Sequence, residues 1–152
     1  MSNNFSFTKS SAIEHFQKVK DSVTAFKESP LDTNIADGVA QLLWSCTDYF
    51  HREKLCGCDH VQLRNCQAEI RKQCKSFSAI NDVCDSAKHN GIDRPKVNLK
   101  QSYSKGGDFA RGDFCFQDYN TPALIVEYTD GEKVDFETIV NESFDYLQSK
   151  LT

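Results

Sequence analysis

Asn81-Asp82-Val83-Cys84-Asp85-Ser86-Ala87-Lys88-His89-Asn90-Gly91 decides how the chain is read. Upstream of it, apolar residues recur every three or four positions; downstream they alternate, and turn residues cluster. The stretch therefore closes a helical half and opens a half made of strands. Gly91 suits the left-handed position just past a helix end, and Lys88 and His89 in the last turn complement the negative end of the helix dipole. The same stretch is the densest in chemistry. On a helix, Asp85 and His89 stand four apart, with Asp82 one turn earlier on the same face.

Toward the N-terminus the spacing predicts four helices. Ser10 or Ser11 caps the first, with Ile13, Phe16, Val19, Val23 and Phe26 inward, and it stops near Glu28-Ser29-Pro30 because a residue before proline resists the helical conformation. Asp32 or Thr33 caps the second, whose face is Ile35, Val39, Leu42, Leu43, Cys46, Tyr49 and Phe50, widened by Trp44. Arg52 to Asp59 reads as a link. Asp59 caps the third helix, carrying Val61, Leu63, Cys66, Ile70 and Cys74, and Ser76 or Ser78 begins the fourth, with Ala79, Ile80, Val83, Cys84 and Ala87 inward. Short links between four helices predict an antiparallel bundle over residues 9–91.

Past Gly91, Val97 and Leu99 alternate with polar residues as in a half-buried strand. Ser104-Lys105-Gly106-Gly107-Asp108 and Arg111-Gly112-Asp113 read as turns. Phe114-Cys115-Phe116 reads as a second strand and Ala123 to Tyr128 as a third, turned back by Asp130-Gly131 onto Lys133-Val134-Asp135. Phe136, Ile139, Val140, Phe144 and Leu147 mark a closing helix. The expected architecture is α+β: one domain over 1–152, with the bundle, a small antiparallel β-meander over 96–135 and a C-terminal helix over 136–150.

The 152 residues suffice for one domain with a real core. Eleven Phe against three Pro argue against disorder, and a net charge of −4 supplies no basic field for general DNA binding. No stretch reaches membrane-spanning length and no export signal opens the chain, so its seven Cys are expected to be thiols in a cytoplasmic protein.

Two groups of residues invite a site. In the first, Asp85 or Asp82 orients the His89 imidazole, His89 moves a proton near neutral pH, and Lys88 or Arg94 steadies a phosphate. The competing reading is a well-made helix end. In the second, Cys56, Cys58 and His60 suggest zinc, with His51 or Cys66 completing the set. Structural zinc sites usually space paired cysteines by two to four residues, however, and here Gly57 alone intervenes. The glycines at 106, 107 and 112 lack the Lys-Ser/Thr and helix start of a phosphate loop. No cofactor is implied.

The pattern Ala36…Trp44-Ser45-Cys46-Thr47-Asp48-Tyr49, followed by Asp82-Val83-Cys84-Asp85-Ser86-Ala87-Lys88-His89, resembles a group of small uncharacterised bacterial and phage-associated proteins. That group tends to have Trp where Tyr49 stands and Asn where Asp85 stands. The helical half also resembles the HEPN superfamily, four-helix domains frequent in toxin–antitoxin and phage-defence systems, often as dimeric ribonucleases. The HEPN ribonucleases separate an Arg from the catalytic His by four to six intervening residues. Counting back from His89, the matching positions hold Cys84, Val83 and Asp82. The resemblance thus implies a non-catalytic binding or regulatory module acting through protein contacts, alone or as a homodimer. Asp48, Asp82 and Arg94 are its expected binding residues. The alternatives are a metal-independent ribonuclease or nucleotide-processing enzyme built on His89, Asp85 and Lys88, and a zinc-stabilised adaptor.

Overall fold

Ser11 opens the first helix with a reciprocal cap. Its hydroxyl accepts from the Glu14 N–H and the Glu14 carboxylate accepts from the Ser11 N–H, both at 3.2 Å, so two otherwise orphaned donors are satisfied. Helix α1 (Ala12–Glu28) then runs to Ser29, one residue ahead of Pro30. Asp32 begins the next helix, its carboxylate accepting from the N–H groups of Asn34 at 2.9 Å and Ile35 at 3.1 Å. The computed structural model describes residues 11–54, 60–89, 99–106 and 122–151, with the backbone alone at Lys54, Lys88, His89, Leu99 and Leu151.

Helix α2 (Thr33–Lys54) outlasts its predicted end. Arg52 to Lys54, expected in a link, continue the helix because no Gly or Pro interrupts them and Asp48 pairs with Arg52 one turn on. Helices α3 (His60–Gln73) and α4 (Lys75–His89) are separated by Cys74 alone. Ser76 and Ser78, predicted as caps, lie inside α4 instead. The Ser76 hydroxyl donates to the Glu142 carboxylate at 2.5 Å and that of Ser78 to the Arg71 carbonyl at 3.2 Å.

Strands β1 (Leu99–Lys105), β2 (Ala123–Tyr128) and β3 (Lys133–Asp135) form one antiparallel sheet in the order β1-β2-β3. Ser104 and Lys105, expected in a turn, are ladder residues opposite Leu124 and Ala123. The β1–β2 register shifts between Leu99 and Gln101, a bulge that leaves Lys100 and Gln101 both reaching Glu127. The β2–β3 hairpin closes through three residues, Thr129, Asp130 and Gly131. The Gly131 N–H donates to the Tyr128 carbonyl at 3.0 Å, and the Asp130 carboxylate accepts from the Glu132 N–H at 2.9 Å. Gly131 has φ +94°, a conformation that suits glycine at this position. Helix α5 (Phe136–Leu151) follows directly. The strand expected at Phe114-Cys115-Phe116 and the start expected at Val97 lie outside the described residues.

Among the described residues, five helices and a three-stranded antiparallel sheet make a helix-dominated α+β fold. One connected core joins the halves: Phe16, Val19 and Phe26 of α1, Val39 and Leu43 of α2, Phe77 and Ile80 of α4, Val126 and Tyr128 of β2, and Ile139 and Val140 of α5. Three predicted inward residues face out: Ile13, Val61 and Ala87, the last in the final turns of α4. Ile13 is 71% and Val61 63% exposed. At about 100° per residue, Ile13 stands a quarter-turn off the Ala12–Phe16–Val19 stripe, and Val61 lies nearly opposite Leu63 and Ile70.

Candidate functional site

Helix α4 carries Asp82, Asp85, Lys88 and His89 in sequence, but it does not offer them alike. Asp82 is 1% exposed and its neighbour Asn81 is also buried. Asp85, half-buried one turn on, accepts a hydrogen bond from Asn81 Nδ2 at 3.3 Å. The first acid of the series is thus inside the protein, and the second is tied to the side chain before it. Side chains of Lys88 and His89, and Arg94 altogether, lie outside the described residues. So do Cys56 and Cys58, while His60 stands exposed at the start of α3. Among the described residues no three His, Cys, Asp or Glu side chains gather as metal ligands would. Burial pushes the Cys46 thiol up to about 11 and raises that of Cys74, which keeps both protonated near neutral pH.

Asp48 lies on the outer side of α2, ion-paired to Arg52 of its own helix. Around it the end of α2 meets the start of α1. The Ala12 N–H donates to the Glu53 carboxylate at 2.5 Å. The His15 ring stacks on Tyr49 with centroids 4.0 Å apart and planes 5° from parallel. His15 Nε2 lies 2.9 Å from Ser45 Oγ, which in turn donates to the Leu42 carbonyl at 3.1 Å. In the tautomer with the proton on Nε2, Ser45 accepts from the imidazole while keeping its own proton on the Leu42 carbonyl. This is the reverse of a nucleophile–base pair, in which the imidazole takes the serine proton. Burial is the chief cause that lowers the His15 pKa, with the positive charge of Lys18 acting in the same direction against the Leu42 carbonyl. His15 is therefore a neutral fastener between α1 and α2. Nothing in the sequence marked it, because a polar residue inside an apolar stripe is identified only once its neighbours across the helix pair are known.

Among the described residues, two of the cavities bear on a site, both open to solvent. One, about 230 Å³, lies among α2, α3 and α5, with Phe50, Ile70 and Leu147 as apolar lining and His51, Glu69, Gln73 and Lys150 as polar lining. Tyr146 also lines it and donates its hydroxyl proton to Gln73 at 2.5 Å. The other, about 150 Å³, lies between the first turns of α2, Val83 of α4 and strands β1 and β2. Ala36, Val83, Leu124, Val126 and Phe136 give it apolar walls, and Thr33, Asp37, Ser102 and Ser104 give it polar atoms. Desolvation raises the Asp37 pKa above its usual value. Neither cavity was legible in the sequence, since each is assembled from elements far apart in the chain. Comparison with protein families, with curated proteins and with solved structures finds no match.

Proposed function

We propose that the chain is a non-catalytic binding module of HEPN-like helical organisation, acting through protein contacts in a phage-defence, counter-defence or toxin–antitoxin setting. The observation that carries this reading is the burial of Asp82, 1% exposed in the segment with the best inventory for chemistry. A general base must reach a substrate group within hydrogen-bond distance, and Asp82, held in the core, does not. The missing HEPN Arg, replaced across the matching positions by Asp82, Val83 and Cys84, supports the same conclusion.

On this reading α1 to α4 form the antiparallel four-helix bundle, and the sheet is a meander closed by α5. Packing of α1 on α2, of α2 on α4 and of α3 on both α2 and α4 supports the arrangement. The net charge of −4 suits a partner with a basic surface, such as the nucleic-acid channel of an effector protein. The test is retention of a host protein by the immobilised chain at low salt, with His89→Ala beside the wild type. Both are expected to hold the same partner and to release it as salt screens the charges. Retention of no partner, or loss of the partner in His89→Ala alone, would overturn the proposal.

A further inference from the structure

Asp37 stands in the second turn of α2, where it lines the cavity of about 150 Å³ with Thr33, Ser102 and Ser104. Among the described residues its carboxylate has no hydrogen bond and no ion pair, and the cause acting on its acidity is loss of water. Water still reaches the group, and the part of its solvent lost to the cavity disfavours the charged form unless a donor or a cation takes that water's place. The N-terminal end of α2 favours negative charge nearby. It explains why the helix tolerates Asp37, but not why the carboxyl lines an apolar-walled hollow ringed by hydroxyls.

We propose that this cavity binds a small monocationic amine, its ammonium held by Asp37 and its compact apolar body lying against Leu124, Val126 and Phe136. Charge complementarity selects the sign: the fixed negative group at Asp37 repels carboxylates and phosphates, and an ammonium supplies the donors that Asp37 lacks. Ser102, Ser104 and Thr33 offer hydroxyl oxygens to the remaining N–H bonds. The size is set by the walls, since a cavity of roughly 150 Å³ holds a body about as large as a benzene ring. Ammonium on an apolar stem is also the chemistry of a lysine side chain, so the two sources need separate arms of one experiment. This inference goes beyond the protein-contact reading and needs no partner, so the two stand or fall separately.

The experiment is titration of the isotope-labelled full chain with 2-phenylethylamine, followed by amide chemical shifts. Saturable shifts are expected at Asp37, Val83, Ser102 and Leu124. The neutral isostere 2-phenylethanol and the Asp37→Asn variant are each expected to weaken binding by about tenfold or more, the size of a lost charge-assisted contact. Binding should also fade as pH drops into the raised carboxyl range of Asp37, where the amine stays charged and the acid does not. Tighter binding of an Nα-acetyl-lysine amide than of 2-phenylethylamine would overturn the free-amine assignment in favour of a partner's lysine. Absence of saturable shifts, shifts centred elsewhere, or equal binding of 2-phenylethanol by the wild type would overturn the site itself. The comparison of the two ligands on the wild type holds even if Asp37→Asn fails to fold.

Discussion

His15 shows how one buried side chain ties stability to pH. The ring is 4% exposed, stacked on Tyr49 and hydrogen-bonded to Ser45, and among the described residues its Nδ1 has no hydrogen-bond partner. Its folded pKa lies below the ordinary histidine value of 6.5. The unfolded chain therefore takes up a proton that the folded one resists. The contribution of His15 is present in full above 6.5 and is lost as pH falls from there through the lowered folded value. Urea unfolding at about pH 7.5 and about pH 5.5 should show a loss of stability of up to about 1.4 kcal/mol per pH unit from this residue. His15→Gln should lose that part of the pH dependence, whatever it does to stability at neutral pH. A variant with the wild-type slope would show that His15 is not the titrating group. In the sequence, His15 and Asp37 looked like ordinary polar positions on helices, while Asp82, Asp85 and His89 drew attention through spacing alone. Spacing places residues on a face. It does not say whether that face meets solvent or core, and Asp82 meets core.

Helix and hairpin ends were the most legible elements, because they depend on residues close in the chain. Ser11 with Glu14, Asp32, Pro30 and Gly131 all act within three or four positions of the boundary they set. Lengths fixed by tertiary pairing were less legible. Ser104 and Lys105 have turn-like composition but become strand because Leu124 and Ala123 lie opposite. Ile13 and Val61 are apolar residues outside any buried stripe, and periodicity counted them as core. The glycines at 38 and 131 separate local conformation from packing. Gly38 lies inside α2 with open space where a Cβ would stand, whereas Gly131 holds φ +94° in the hairpin loop. Gly38→Ala should therefore stabilise the fold by about 0.5–1 kcal/mol through helix propensity. Gly131→Ala should destabilise it by about 1–2 kcal/mol through left-handed strain. Denaturant unfolding of the two variants checks both signs; matching shifts in the same direction would mean that conformation at these positions does not control stability.

Across the whole molecule, helices and sheet share one core, and the buried face of β2 is part of it. The α+β class was legible because the change of periodicity after Gly91 is a property of the sequence. The cavities were not, since Asp37, Ser102 and Leu124 come to line one hollow only when the sheet, packed on α5, lies beside α2 and α4. No helix among the described residues is long and apolar enough to cross a membrane. The proposed mode of action is recognition, with the acid-rich end of α4 serving structure. Incubation of the purified chain with end-labelled, mixed-sequence single-stranded RNA, beside His89→Ala, tests that claim most directly. The account predicts that the RNA stays intact with both proteins over hours. Time-dependent cleavage by the wild type that disappears in a folded His89→Ala variant would contradict it.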